Sequence, residues 1–437
     1  MFGLPRCVDH RFASWPAYNL THPRPLADRS LLQPRGAACR HVLHMREDRP
    51  LVQSRLAMSD LILSGARLLH EDGSIRHGSI SVADGCISAV SAQTGEIATD
   101  AGGYLVLPGI VDLHGDAFER QLMPRPGVHF APVPALLETD RQLLANGITT
   151  AYHGVTLSWE PGLRGIEAAR AFLTALSTAR PRLGADTRLH LRFECFNLDA
   201  ADEVLSWIDA GQVDLLAFNE HTDSIARDIK RGKIGEYLGR TRLDQASFIA
   251  LFEGVRARRD AVPAAVALVA EAARRAVIPM ASHDDNSPAM RDHYRALGCR
   301  LSEFPLDRET ACSAVEAGET VILGGPNVVR GGSHAARLPA AESAEAGLCS
   351  VLTSDYYYPT LLQAAFILAG RGALPFAECW ALVSRNPARA AGLADRGEIA
   401  PGRRADLILV DDSEPALPRV VASYVAGQLR FAAVSLS

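Results

Sequence analysis

The chain has 437 residues, 48% of them apolar, and a formal net charge of −5. That size and composition suit a globular protein with one large domain and a smaller one, and the negative balance argues against general nucleic-acid binding. No run of 18 uninterrupted apolar residues occurs, so neither a transmembrane helix nor a membrane partner is expected.

Of the 45 basic residues only Lys230 and Lys233 are lysines. Eight cysteines are scattered without a C-x-x-C pair. In a chain this long they read as reduced thiols and a cytoplasmic location.

Residues 1–57 carry nine arginines and four acidic residues, many prolines and no sustained apolar period. They are expected to be an unstructured extension ahead of Met58. From 58 to 108 the pattern is short strands and turns, with Glu71-Asp72-Gly73 and Asp84-Gly85 as hairpin signals. The stretch 391–437 resumes that texture, so the two ends should build one small β-sandwich. Between them, 109–390 alternates apolar strands with helices such as GIEAARAFLTALSTA and AVPAAVALVAEAARRA. Strand ends are read at His114, His153, Glu194, His221, His283, Glu303, Asn327 and Asp355. Eight βα units predict an α/β fold, a TIM-like (β/α)8 barrel.

Barrel chemistry sits at the carboxyl ends of the strands. There the chain places His114 and Asp116, Glu194, His221, His283 and Asp355. Imidazole nitrogens mixed with carboxylate oxygens suit a zinc-like divalent ion. Residues i and i+2 of a strand share a face, so His114 aligns with Asp116, and His190 and Arg192 with Glu194. One such histidine is more often structural; five strand ends offering ligand-type side chains make coincidence a poor account. His153 and His190 read as supporting barrel residues. One of Asp284 and Asp285 is expected to orient an imidazole. Asn386-Pro387 reads as a helix N-cap followed by proline.

The words LPGIVDLHGD, MPRPGV, HLRFE, ASHDD, GGPNVVRGGSH and TSDYYYP follow one another from about Met58 to the C-terminus. With the flanking β-rich ends, they resemble the amidohydrolase superfamily. Within it they resemble the PhnM family, the α-D-ribose 1-methylphosphonate 5-triphosphate diphosphatases of phosphonate breakdown. The resemblance implies the amidohydrolase fold and a metal-dependent hydrolase. It implies two divalent ions per subunit, zinc foremost, with Mn, Fe or Mg admissible. His114 and Asp116 would bind the first ion, Glu194 would bridge, His221 and His283 would bind the second, and Asp355 would serve the attacking water. Many relatives bridge with a carboxylated lysine; with both lysines confined to 230–233, Glu194 is the well-placed substitute. The strand-one motif is HGD rather than the HxH of many amidohydrolases.

The implied partner is a small ribose triphosphate. A homo-oligomer and a functional link to other phosphonate-breakdown enzymes are further expectations. Arg125 stands in a proline-bounded elbow, and Arg330 lies in a glycine-rich loop after strand seven, a common phosphate site in barrels. His334 closes that loop. Arg125, Arg330, His334, Lys230 and Lys233 are the candidate phosphate contacts. Structural alternatives stand beside them: a surface elbow, a tight turn, and a solvated helix face in place of a basic lid over 227–242. The tyrosines after Asp355 could flank a sugar or pack the core. Two rival functions remain: hydrolysis of a C–N bond in an amide or cyclic amide, and a non-catalytic barrel subunit of an assembly.

Overall fold

The structure, a computed structural model, describes residues 61–91, 98–332 and 338–435. The extension expected over 1–57, and His334, lie outside the described residues.

Five strands open the described chain: β1 (Leu61–Leu69), β2 (Ile75–Ala83), β3 (Cys86–Ser91), β4 (Thr99–Asp100) and β5 (Leu105–Pro108). The β2–β3 hairpin turns on Asp84 and Gly85, both at positive φ (49° and 78°), the geometry an Asp-Gly pair supplies most readily. β14 (Leu407–Asp411), β15 (Arg419–Val425) and β16 (Gln428–Ala432) return from the other end of the chain. β14 pairs antiparallel with β5, giving one hydrogen-bonded sheet in the order β16-β15-β14-β5-β1-β2-β3, with β4 alongside β1. Ile87 and Gly402 exchange main-chain bonds with Arg403 and Ile87, so the sheet folds back over its own core of Leu63, Leu68, Ile80, Val106, Leu407 and Val421.

The middle of the chain supplies β6 (Ile110–Gly115), β7 (Ile148–Leu157), β8 (Asp186–Glu194), β9 (Leu215–Asn219), β10 (Met280–His283), β11 (Leu301–Glu303), β12 (Thr320–Gly324) and β13 (Val351–Thr353). All neighbours are parallel and in sequence order. The ring closes at its carboxyl end, where Asp355 N donates to His114 O (2.9 Å) and Asp116 N to Asp355 O (3.0 Å). Buried Asp112 fastens that seam: it accepts from Thr353 Oγ1 (2.6 Å), Ser354 Oγ (2.5 Å) and Ser354 N (3.0 Å). Val111, Leu113, Tyr152, Leu215, Ala281, Leu301, Ile322 and Val351 fill the barrel floor.

The helices follow their caps. Ile166–Ala179 and Val262–Arg275 coincide with the two quoted helical stretches to within a residue at each end, and Ser287 and Asp307 cap Pro288–Leu297 and Arg308–Glu316 by accepting from Met290 N and Thr310 N. Among the described residues no helix is long and apolar enough to cross a membrane.

Three local readings are corrected. β7 runs on to Leu157, so His153 is mid-strand, packed between Phe118 and Phe172. β12 ends at Gly324, and Asn327 lies in the short helix Gly325–Val329, which Pro326 opens. Asn386 is inside the helix Arg385–Ala390 rather than capping it; its amide donates to Ser350 O at 2.9 Å.

Beneath β10 and β11, fully buried Arg291 lies 3.1 Å from Asp285 Oδ2 and 2.9 Å from Glu319 Oε2 and donates to Cys299 O at 2.6 Å. Asp285 therefore serves this network and does not orient an imidazole. Arg291→Met is expected to cost about 3–5 kcal/mol, because it leaves buried Asp285 without its cation, whereas Glu319 keeps Arg295 at 2.7 Å. Denaturant unfolding checks this, and a loss below ~1 kcal/mol counts against it.

Candidate active site

At the seam the register of β6 against β7 slips between Asp112 and Gly115, a bulge. Bulges re-aim side chains: Leu113 joins the barrel floor, yet the adjacent His114 still reaches the mouth. Gly115 is required there, since a Cβ would come within 2.8 Å of Asp112 Oδ2 and 3.0 Å of the Tyr358 ring.

Three non-glycine residues on this rim have left-handed backbones: Asp284 (φ 58°), Phe304 (54°) and Asp355 (54°). Each continues the ladder with its amide, donating to Glu303 O, Ile322 O and His114 O at 2.8–2.9 Å. Aspartate tolerates this conformation; phenylalanine does so at a cost of roughly 1–3 kcal/mol. Phe304 is held by packing against His114 and His283, with both ring centroids at 5.2 Å.

Among the described residues three groups of ligand-type atoms result, each with all its atoms within 4.8 Å of one another: two clusters at the mouth, His114, Asp116 and Asp355, and His221, His283 and Asp284; and a fully buried group beneath them, His114, His190 and Glu303. Glu194 Oε1 lies 2.5 Å from His221 Nδ1, beside the second cluster. Burial drives His114 down to about 3 and His283 well below its ordinary value, so both present lone pairs at neutral pH. His221 is lifted to about 10 by the Glu194 carboxylate beside it. Asp355 is pushed up to about 7, first by burial and then by the neighbouring charge of Asp116. His283 Nδ1 is buried without a hydrogen bond. Carboxylates crowded against the neutral rings of His114 and His283, with the orphaned Nδ1 of His283, form a donor set that fits a divalent cation.

Arg192 enters between the clusters from β8. It donates to Asp116 Oδ2 (3.4 Å) and to His283 Nε2 (3.2 Å), and the Asn219 amide oxygen, turned towards it, accepts from Nη2 and Nε at 3.3 Å. Deeper still, fully buried Glu303 lies 3.2 Å from His114 Nδ1 and 3.8 Å from His190 Nε2, while His190 Nδ1 bonds Leu113 O at 2.9 Å.

Sequence reasoning left Glu303, Asn219 and Asp112 out of the site and gave Arg192 no task. The available signals were that Glu303 ends a strand as the chosen residues do, and that Asp112 is two residues before His114.

The outer candidates are dispersed. Arg125 is exposed at the head of a turn: Val128 N donates to its carbonyl (3.0 Å) across Pro126 and Gly127, whose φ of 78° demands glycine. Arg242 Nη2 donates to Gly127 O (3.0 Å), linking that elbow to the segment after His221. The segment is no loop but two helices, Thr222–Lys230 and Gly235–Thr241, anchored through Ile225, Phe248 and Phe252 and by the Arg240–Glu160 pair at 2.7 Å. Lys230 and Lys233 are exposed. Arg330 is also exposed and reaches the Tyr356 hydroxyl (3.4 Å), next to Asp355. Arg120, overlooked in the sequence, donates to Tyr356 O at 2.5 Å. Of the three tyrosines Tyr358 is core, whereas Tyr356 and Tyr357 stand at the rim.

Comparison with known proteins shows the family. The amidohydrolase family profile matches residues 333–431. The α-D-ribose 1-methylphosphonate 5-triphosphate diphosphatase of Escherichia coli (strain K12) is 33% identical over 361 residues, covering 80% of this chain and 94% of that protein. The adenine deaminase of Methylobacterium sp. (strain 4-46) is 28% identical over 84% of this chain, which spans only 58% of that enzyme's length. Among solved structures, N-isopropylammelide isopropylaminohydrolase from Burkholderia multivorans superposes with a TM-score of 0.60 over 87% of this chain and 100% of that one, at 19% identity. The chain belongs to the PhnM-type branch of the amidohydrolase family.

Proposed function

We infer that this metal-dependent hydrolase cleaves the phosphoanhydride of α-D-ribose 1-methylphosphonate 5-triphosphate, leaving the 5-phosphate and releasing diphosphate. The observation that carries the reading is the likeness to the E. coli diphosphatase along 94% of that enzyme's length. His114, Asp116 and Asp355 would hold one divalent ion; His221 and His283, with Glu194 or Asp284, would hold a second. A bound divalent ion supplies a water acidified towards neutral pH.

Asp355 would accept the proton of the attacking water at its carboxylate and return it to the departing diphosphate oxygen. The water oxygen bonds to the first phosphorus as the bridge to the second phosphate breaks. Phe304 and the buried barrel floor keep bulk water from beneath the site. Arg125 and Arg330 would meet the outer phosphates. Arg125→Ala and Arg330→Ala are each expected to lower kcat/KM by ~10²-fold, as for loss of one charge-stabilising donor. Steady-state kinetics on both variants check this, and wild-type values in both would assign the outer contacts elsewhere.

The likeness to adenine deaminases supports a second reading, hydrolysis of a C–N bond. Phosphorus NMR of the ribose triphosphate reaction, run beside an ammonia assay on adenine, separates the two. Diphosphate without ammonia is expected; ammonia without diphosphate transfers the assignment to the deaminase reading.

A further inference from the structure

Of the three arginines buried among the described residues, Arg291 and Arg396 are clamped by carboxylates and Arg192 is not. Arg291 has Asp285 at 3.1 Å and Glu319 at 2.9 Å. Arg396 has Asp186 at 2.6 Å and Asp395 at 2.8 Å. Less deeply set, Arg164 forks onto Glu119 at 2.9 and 3.0 Å, and Arg240 onto Glu160 at 2.7 Å twice. Arg192 is only 6% exposed, yet its single carboxylate contact is 3.4 Å long and its other partners, the His283 ring and the Asn219 amide, are neutral. A guanidinium binds anions through paired, short, charge-assisted bonds. Here the fork is aimed into the barrel mouth with none of them made. Of its carboxylate neighbours, Asp116, Glu194 and Asp355 are those the reading above commits to cations, and fully buried Glu303 is set against His114 and His190 rather than against the guanidinium.

We propose that Arg192 receives a phosphate oxygen of the substrate inside the barrel, between the two carboxylate–histidine clusters. This rests on the phosphoanhydride reading and deepens it. The exposed rim arginines gather the chain of phosphates, whereas Arg192 is a fixed positive charge at the depth of the reacting group, where water is excluded and a charge acts most strongly. Its strand fixes it there. His190, Arg192 and Glu194 share the inward face of β8, while Leu189, Leu191 and Phe193 pack outward in the helix layer. A polar amide substrate has no comparable need for a buried cation, so Arg192 would help tilt an amidohydrolase barrel towards phosphoryl chemistry.

Zinc-loaded wild-type protein, Arg192→Gln and Arg192→Lys are titrated calorimetrically with inorganic diphosphate, and elemental analysis gives their metal content. The wild type should bind diphosphate. The glutamine variant should bind about 30-fold or more weakly and lose ~10²–10³-fold in kcat/KM on the triphosphate, with metal content unchanged. The lysine variant, which keeps charge but not the fork, should fall between. It carries the test alone if the glutamine variant fails to fold. Equal diphosphate affinity in the variants, no diphosphate binding by the wild type, or loss of metal in step with loss of binding would each overturn the role. Wild-type turnover is read separately. Absence of diphosphate release from the ribose triphosphate removes the phosphoanhydride reading, while Arg192-dependent diphosphate binding stands or falls on the titration.

Discussion

Asp355→Asn is expected to lower kcat by roughly 10³–10⁴-fold, the upper part of what a positioned acid–base group contributes, while the chain stays folded. The fold should survive because what Asp355 gives the barrel is main chain. Its amide and carbonyl close β13 onto β6 through His114 and Asp116, and a substitution leaves both bonds in place. Asparagine also tolerates the left-handed backbone found here, φ 54°. What disappears is a carboxylate that can take and return a proton beside Asp116. Stopped turnover with an unchanged near-ultraviolet circular dichroism spectrum is the expected pair of results. A variant with near-wild-type kcat would place the base elsewhere, with Asp284 and Glu303 the next carboxylates to examine.

The barrel was legible in the sequence because its strands obey simple periods. HLRFE alternates inward and outward, and the βα repeat runs eight times. The metal-type ligands were legible for the same reason: a polar residue at the end of an apolar strand stands out. What stayed hidden depends on backbone exceptions. The bulge at Asp112–Gly115 breaks the two-residue rule at the motif to which it was applied, so His114 and Asp116 meet for reasons other than strand parity. The left-handed turns at Asp284, Phe304 and Asp355 carry no compositional mark, because glycine is absent from all three.

Arg192 was visible but mute. A sequence shows an arginine on an inward face without showing that nothing clamps it. Lys230 and Lys233 illustrate the reverse, a conspicuous basic run that folds as two packed helices with both lysines exposed. Asp285 was half-read: its position after His283 suggested the metal site, whereas the turn at Asp284 swings it beneath the strands to Arg291.

Removing the metal should abolish hydrolysis and also loosen the protein. The two clusters pack Asp116 against Asp355, and Asp284 with Glu194 around His221, in a region with little water to screen them. Burial and the neighbouring charge of Asp116 push Asp355 up to about 7, and a cation held between the two carboxylates would offset both. A ligand that binds only the folded state stabilises it by RT ln(1 + [L]/Kd), about 4 kcal/mol when free metal stands at ~10³ times Kd. Dialysis against a strong chelator should therefore reduce diphosphate release to background and lower the melting temperature by several degrees. Zinc should restore both, and manganese would serve as a comparison for selectivity. Elemental analysis of the untreated protein gives the stoichiometry directly, with two ions per chain expected if both clusters fill. A preparation without divalent metal whose hydrolysis and melting are indifferent to chelator would remove the cation from the mechanism, and the crowded carboxylates would then have to share protons instead.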